Sequence, residues 1–273
     1  MLSARNEHIR LGEADFDYIV FGKGPKNLVL LPGVGDGFQT AKGLAVPFSL
    51  LLGKLGKRYR VYVFSRRNRL PEGFSTERMA QDLALVMDAI GLRHADVIGV
   101  SQGGMIAQQL AIRSPQKVDR LVLTVTAARP NPIMVETLSL WLDWAERGEY
   151  LRILSDNAKR SYTGKYLKKQ LRLLPLLGAF RRPKDFTRFR ILCESCLMHD
   201  VFAQLDRIVC PTLIVGGEKD GVLGADASRE LGAGISGSKL YVYEAYGHGL
   251  YEQANDFYDR VLLWLDGADE GRF

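Results

Sequence analysis

Short apolar runs alternate with helix-forming stretches along most of the chain, and this alternation limits the possible folds more than any other feature. Such alternation is typical of a parallel sheet that is covered by helices on both faces. Eight segments have the buried or β-branched character of strands, namely His8–Leu11, Phe16–Phe21, Leu28–Leu31, Arg60–Phe64, Ala95–Val100, Val118–Thr126, Thr212–Gly216 and Lys239–Tyr243. The predicted helices are Pro47–Leu55, Thr76–Ile90, Gly104–Ser114, Ala225–Leu231 and Tyr251–Leu265.

The alternation stops between residues 129 and 206, where helical patterns continue without a strand pattern. The sequence therefore predicts the α/β class, with a mostly parallel eight-stranded sheet, helices on both faces and an inserted helical cap. The predicted boundaries are 1–128 for the first part of the core, 129–206 for the cap and 207–273 for the second part of the core. Residues that follow the strands are candidates for a site, because ligands of open α/β sheets bind at the carboxyl ends of the strands.

The pentapeptide Gly99-Val100-Ser101-Gln102-Gly103 lies between a predicted buried strand and a predicted helix. This is the G-x-S-x-G pattern in the strand-turn-helix context that it requires. The turn exposes the serine hydroxyl, and side chains two residues before and after Ser101 would collide, so both positions are glycine. The helix N-terminus behind the serine favours negative charge nearby. Ser101 is therefore the predicted nucleophile.

A serine hydroxyl is a weak nucleophile and needs a general base, for which the chain offers four histidines. His248 stands between two glycines just after the last predicted strand, at the carboxyl edge, and is the predicted base. His94 precedes the strand that leads to Ser101, which puts it at the opposite edge of the sheet, and His8 lies in the first strand. His199 falls in the cap and could approach the site.

The base needs an acid that fixes its tautomer and stabilises the imidazolium. Asp220 follows the strand Thr212–Gly216 and therefore reaches the carboxyl edge, and the order Ser, Asp, His along the chain is the order expected of such a site. Glu218 is the rival acid, and Asp220 could instead be a turn residue. We predict Asp220 because it lies farther along the loop, towards His248.

The negative charge that develops on a substrate oxygen needs backbone donors. The N–H of Gln102, directly after the nucleophile, is one predicted donor. The second is predicted to be the N–H of Val34, in the glycine-rich loop after Leu28–Leu31. Asp36 in the same loop either forms a turn or faces the pocket, and the turn is the favoured interpretation.

The glycine loop at Gly33, the elbow at Ser101, Asp220, His248 and the break after the sixth strand together resemble the α/β-hydrolase superfamily. The resemblance covers nearly the whole chain, although many members have His-Gly where this chain has Pro32-Gly33. It implies the α/β-hydrolase fold and two-step acyl transfer, in which Ser101 attacks a carbonyl, His248 takes the proton and the N–H groups of Val34 and Gln102 hold the oxyanion. It implies no metal and no organic cofactor.

The resemblance further implies a serine hydrolase of the carboxylesterase kind, which cleaves a carboxylic ester or a lactone of a small molecule through an acyl-enzyme. A thioesterase or methyl esterase that acts on a carrier-bound acyl group remains open, and so does a carbon–carbon bond hydrolase. A non-catalytic ligand receptor on the same fold is the alternative outside enzymes, because a fold does not determine a function.

Positive charge is concentrated in the predicted cap. Residues 147–190 contain 13 Lys and Arg against three Asp and Glu, a net +10, whereas the whole chain carries +6, so the remainder carries −4. A solvated helical face is one interpretation. The other is attraction of an anionic substrate or of an acidic carrier protein. Nucleic-acid binding is not expected, because no recognition motif accompanies the charge.

The chain has three cysteines, a small and odd number that argues against a disulfide framework. Such a number is typical of proteins in a reducing compartment. Cys193 and Cys196 have the C-x-x-C spacing, but they fall in a helical pattern without a second ligand pair for zinc. We expect two reduced thiols one helical turn apart. The N-terminus lacks the apolar segment of a signal peptide, and no apolar run approaches the ~20 residues of a membrane span. The expected location is the cytoplasm.

Overall fold

The computed structural model describes residues 3–267, with the side chains of 177–181 left out of the description. Its centre is a single sheet of eight strands in the order β1-β2-β4-β3-β5-β6-β7-β8. β2 runs antiparallel to both of its neighbours, and all the other neighbouring pairs are parallel. The strands are β1 Arg5–Leu11, β2 Ala14–Phe21, β3 Lys26–Leu31, β4 Tyr59–Phe64, β5 Ala95–Val100, β6 Val118–Thr124, β7 Thr212–Gly217 and β8 Lys239–Tyr243. The predicted fold class is therefore confirmed.

Helices cover both faces of this sheet and fill the long connection between β6 and β7. They are α1 Ala45–Leu51, α2 Gly53–Gly56, α3 Thr76–Ala89, α4 Gln102–Arg113, α5 Pro132–Glu146, α6 Tyr150–Ser161, α7 Gly164–Arg181, α8 Thr187–Leu197, α9 Ala225–Gly234, α10 Leu250–Gln253 and α11 Phe257–Leu265. Within the described residues, no helix has the length and the apolar composition that a membrane span requires.

Two predicted helices are each divided in the structure. The helix predicted over Pro47–Leu55 is interrupted at Leu52, directly before Gly53, a residue of low helix propensity. The closing helix predicted over Tyr251–Leu265 is interrupted at Ala254, whose ψ of 114° is extended. The Asp256 carboxylate that follows accepts hydrogen bonds from Arg260 of α11 and from the Tyr243 hydroxyl of β8, so a contact with the sheet accompanies this break.

Alternate residues of the central strands pack into two separate hydrophobic layers, as the period of two along a strand requires. Val29 and Leu31 of β3 face the layer beneath α3 and α4, whereas Leu28 and Leu30 face the layer beneath α1, α2 and α11. Because both faces are covered, the central strands read as continuous apolar runs.

The inserted cap consists of α5 to α8, between β6 and β7. Its buried side chains, including Met134, Trp141 and Phe189, form a third hydrophobic cluster with Met105 of α4 and Val222 of the loop after β7. The cap is thus packed over the carboxyl edge of the sheet. Its boundaries at residues 129 and 206 stay predictions.

The strand order reverses direction at one point of that edge. β3 lies between β4 and β5, so the chain leaves β3 on one side for β4 and returns on the other side for β5. The loops after β3 and β5 therefore diverge at a topological switch point, which is where open α/β sheets bind ligands. Val34 and Ser101 stand in these two loops.

Candidate active site

Ser101 connects β5 to α4 through a strained turn. Its backbone has φ 54° and ψ −122°, a conformation that residues with side chains rarely adopt. A Cβ on Gly99 would lie 2.5 Å from the Gly104 Cα, and a Cβ on Gly103 would lie 2.0 Å from the Leu31 carbonyl oxygen. The collisions that the sequence predicted for the two glycines are therefore found, and the second one is with the end of β3.

Hydrogen bonds on each side of Ser101 keep this turn in place. Its N–H donates to the Thr124 carbonyl at 2.9 Å. Its own carbonyl accepts from the Thr126 hydroxyl at 2.8 Å. A Cβ on Gly33 would stand 3.2 Å from the Ser101 Cβ, so the loop after β3 also passes close to the serine. Strain of this kind persists only where the surroundings over-determine it, and it is frequent at active sites.

His248 and Asp220 meet in a buried hydrogen bond. The His248 Nδ1 lies 2.8 Å from the Asp220 Oδ2. The other carboxylate oxygen of Asp220 accepts the N–H groups of Val222 and Leu223 at 2.8 and 2.9 Å, so the carboxylate is oriented by its own loop. The rival acid Glu218 instead forms an exposed ion pair 2.5 Å from Arg229.

Ser101 and His248 line the same cavity of about 490 Å³, which lies between the carboxyl edge of the sheet and the cap. This is the size of a site for a small molecule. Its walls are mainly aliphatic and aromatic: Leu44, Phe48, Leu51 and Leu52 come from the first helices, Met105 from α4, and Leu138, Trp141, Ile153, Leu154 and Phe189 from the cap. The cavity therefore joins an apolar interior to the serine and the histidine.

The two predicted oxyanion donors both stand at the start of a helical turn. Gln102 is the first residue of α4, and Val34 is the first residue of a 3₁₀ turn, Val34–Gly37, after β3. The N–H groups at the start of a helix have no acceptor within that helix, so both are available to a ligand. Val34 also lines the cavity. The side chain of Gln102 points elsewhere and donates to the Leu192 carbonyl and the Ser195 hydroxyl of α8, each at 2.8 Å.

Asp36 is neither a simple turn residue nor a free carboxylate in the pocket. It is buried, and its Oδ2 lies 2.5 Å from Nη2 of Arg188 in α8. Arg188 also donates to the Asp36 carbonyl and to the carbonyls of residues 66–68. One cap arginine therefore fixes the loop that carries Val34. Local sequence patterns do not predict this pair, because 152 residues separate the partners.

The end of α6 makes a second connection between cap and core, this time to the loops of Asp220 and His248. The Arg160 carbonyl accepts from the Gly221 N–H at 3.1 Å, and the Ser161 carbonyl accepts from the Gly249 N–H at 2.9 Å. The ring of Tyr162 covers Gly249 so closely that a Cβ there would lie 2.1 Å from its Cε1. No periodicity in the sequence signals these contacts.

The other three histidines lie outside the cavity lining. His94 is exposed and pairs with Asp119, and His8 pairs with Asp17 at the far side of the sheet. His199, which could have approached the site, is buried 2.9 Å from the Thr76 hydroxyl. Burial lowers the pKa of His199 to about 4, so its imidazole is neutral at pH 7.

The cysteine pair lies in α8, as two free thiols that are both buried. Burial raises the pKa of Cys196 to about 12 and raises that of Cys193 as well, so both are protonated at neutral pH. Within residues 3–267, no three His, Cys, Asp or Glu side chains are grouped to hold a metal ion.

Part of the positive charge of the cap is engaged in ion pairs. Five of its arginines have a carboxylate partner, namely Arg147 with Asp143, Arg152 with Glu149, Arg160 with Asp156, Arg188 with Asp36 and Arg190 with Glu194. The side chains of Leu177 and Arg181 lie outside the described residues. In the described lining of the cavity, the charged side chains are Asp36, Glu252 and, when protonated, His248.

Comparisons with known proteins identify the family of the chain and several relatives. A family model described as "Alpha/beta hydrolase family" matches residues 28–260. A 2-hydroxy-6-oxononadienedioate/2-hydroxy-6-oxononatrienedioate hydrolase 2 from Pseudomonas putida is 29% identical, over 96% of this chain and 96% of its own length. The 3-oxoadipate enol-lactonase 2 from Acinetobacter baylyi is 24% identical, over 67% of this chain and 68% of its own length.

Solved structures share the same fold. The enol-lactonase from Burkholderia xenovorans LB400 superimposes with a TM-score of 0.79 at 21% identity, covering 95% of this chain and 100% of that one. An α/β hydrolase from a Medee basin deep-sea metagenome library gives a TM-score of 0.83 at 19% identity and covers 96% of this chain and 97% of its own. Identity at this level relates the folds alone.

Proposed function

Because the chain belongs to the alpha/beta hydrolase family, we propose that it cleaves a carboxylic ester or a lactone of a small molecule through an acyl-enzyme. Ser101 is the nucleophile, His248 the general base and Asp220 the acid that orients the histidine. The observation that carries the proposal is the buried hydrogen bond between His248 Nδ1 and Asp220 at 2.8 Å, beside the cavity that Ser101 also lines. Hydrolysis is common to the relatives named above.

The proposed reaction has two steps that use the same groups. In the first step, the Ser101 hydroxyl attacks the carbonyl carbon while His248 accepts its proton and then passes it to the leaving oxygen. Asp220 accepts the Nδ1–H, which leaves the lone pair of Nε2 to accept the serine proton. In the second step, water activated by His248 attacks the acyl-enzyme and releases the acid. The N–H groups of Val34 and Gln102 hold the oxyanion in both steps.

A second candidate, a carbon–carbon bond hydrolase, is favoured by the Pseudomonas relative at 29% identity. The compound in that relative's name contains ketone and carboxylate groups but no ester, so its hydrolysis breaks a carbon–carbon bond. Ser101 and His248 suit either reaction. The carrier-bound acyl group and the cytoplasmic location remain predictions.

Substitution of Ser101 tests the proposal directly. The wild-type chain should hydrolyse p-nitrophenyl esters or simple lactones and should react with a fluorophosphonate at Ser101. Ser101→Ala should lose the label and lower kcat/KM by at least about 10⁴-fold. Ser238→Ala, in the turn before β8 and away from the cavity lining, is the matched control and should keep both.

Three outcomes separate the candidates. Ester or lactone turnover that depends on Ser101 supports the proposed function. Turnover of a 2-hydroxy-6-oxodienoate without ester turnover supports the carbon–carbon hydrolase. Neither turnover nor labelling of the wild type contradicts both and favours a ligand receptor on the same fold.

A further inference from the structure

A carboxylate lines the same cavity as the proposed catalytic histidine. Glu252 belongs to α10, which begins two residues after His248, so the two residues are four positions apart in the sequence. Glu252 lines the cavity and is also exposed to solvent, which places it at the cavity mouth. The proposed reaction does not use this carboxylate.

The partners of Glu252 are neutral hydroxyl groups. Tyr162 donates to its Oε2 at 2.7 Å and Tyr166 donates to the same atom at 3.3 Å. Burial, and then the charge of Glu252, raise the pKa of Tyr162, so this phenol stays protonated and remains a donor. These hydrogen bonds orient the carboxylate but do not cancel its charge.

The other carboxylate of the lining is in a different electrostatic state. Asp36 forms a buried ion pair with Arg188 at 2.5 Å, so its charge is balanced by a cation. In the described part of the lining, the rest of the wall is largely apolar. Glu252 is therefore the one carboxylate of the described lining without a cationic side-chain partner, although the cap as a whole is basic.

We infer that Glu252 determines specificity: it disfavours substrates that carry a carboxylate near the reacting carbonyl, and it admits neutral substrates with a hydroxyl or amide group and cationic substrates with an ammonium group. This inference rests on the proposed function and specifies its substrate class. It is opposite in sign to the anionic substrate that the charge of the cap suggests. A like charge at the mouth should lower capture of an anion by about 10-fold at low ionic strength, since solvent screens the interaction.

Two isosteric esters measure this selectivity. The p-nitrophenyl monoester of glutaric acid carries a carboxylate, and the corresponding ester of glutaric acid monoamide is neutral and nearly the same shape. The wild type should prefer the amide by about 10-fold in kcat/KM, and this ratio should shrink as salt is added from about 10 mM to 0.5 M. Glu252→Gln should bring the ratio close to one at every salt concentration.

Glu146→Gln is the matched control, because it removes one exposed carboxylate of the cap that does not line the cavity. Its ratio should equal that of the wild type. An equal ratio in wild type and Glu252→Gln, or a wild-type preference for the acid, overturns the inference. If Glu252→Gln does not fold, the salt dependence of the wild-type ratio tests the inference, and a ratio that does not shrink as salt is added overturns it.

A binding measurement keeps this result separate from the proposed function. Calorimetry with 5-oxohexanamide and 5-oxohexanoate compares a neutral and an anionic ketone that need no turnover. If neither p-nitrophenyl ester is hydrolysed, the proposed function fails, but tighter binding of the amide still supports the role of Glu252. Equal or tighter binding of the carboxylate overturns it.

Discussion

The position of Gly103 gives the sharpest test of how the elbow and the oxyanion loop are held together. A Cβ at this residue would lie 2.0 Å from the Leu31 carbonyl oxygen and 2.7 Å from the Pro32 carbonyl oxygen. Ordinary contact requires about 3.2 Å, so Gly103→Ala must separate the start of α4 from the end of β3 by about 1 Å. Both obstacles are backbone atoms, which no side-chain rotation can move away.

The size of the effect follows from what these two segments carry. The proposed oxyanion donors are Gln102 N–H on the side of α4 and Val34 N–H on the side of β3, and both must reach one oxygen at about 2.7–3.1 Å. A separation of 1 Å breaks one of the two hydrogen bonds. Loss of one such donor costs about 10²–10³-fold in kcat. We expect that decrease in Gly103→Ala.

The assay is p-nitrophenyl ester hydrolysis, with far-ultraviolet circular dichroism and the melting temperature measured on the same samples. Gly232→Ala is the control, because Gly232 also lies inside a helix but its Cβ would meet Leu240 at 3.4 Å, an ordinary contact. The control should keep wild-type kcat. If folded Gly103→Ala kept kcat within about 3-fold of wild type, the reasoning from oxyanion geometry would be refuted.

Two further predictions concern the cap and the pH dependence of stability. Gly249→Ala should lower kcat/KM by about 10-fold, because its Cβ would lie 2.1 Å from the Tyr162 ring. Tyr162→Ala in the same chain should restore part of the loss, and a double variant no more active than Gly249→Ala would contradict this contact. Because the pKa of His199 falls to about 4 in the folded chain, the unfolded chain alone binds its proton between pH 6.5 and 4. Between pH 7 and pH 4.5, the free energy of unfolding of the wild type should therefore fall by about 2 kcal/mol relative to that of His199→Gln. Urea unfolding measures this difference, and a difference that does not change with pH would refute the prediction.

The sequence predicted the sheet well because burial leaves a local record in it. β3 and β5 are covered on both faces, so they read as continuous apolar runs whatever the rest of the chain does. The elbow is also visible in a short stretch of sequence. Atoms packed against this five-residue turn leave no room for a side chain at residues 99 and 103, so both are glycine. Helix ends were predicted less well. The closing helix breaks at Ala254, where the next carboxylate is held by Tyr243 from β8, and helical periodicity carries no record of such a contact.

The features of the candidate site that could not be predicted depend on how the cap lies on the core. The Asp36–Arg188 pair joins residues 152 positions apart. In the sequence alone, either residue is equally typical of an exposed surface position. Glu252 resembles any other exposed helical glutamate until Tyr162 and Tyr166 are seen on its carboxylate. The charge count of the cap was also a poor guide to the cavity, since a count along the chain does not record which way each side chain points.

The hydrogen bonds between the cap and the core loops indicate which role the cap has in this molecule. Three core loops have to meet at one point for the proposed reaction: the loop with Val34, the loop with Asp220 and the loop with His248. The first is held by Arg188 of α8, and the other two are held by the end of α6 through Arg160 and Ser161. A segment that only shielded the site from water would not need to bind each of these loops through their backbones. The cap therefore belongs to the framework that positions the reacting groups, and substitutions at these contacts should affect kcat, whereas changes to the apolar lining of the cap should affect the choice of substrate.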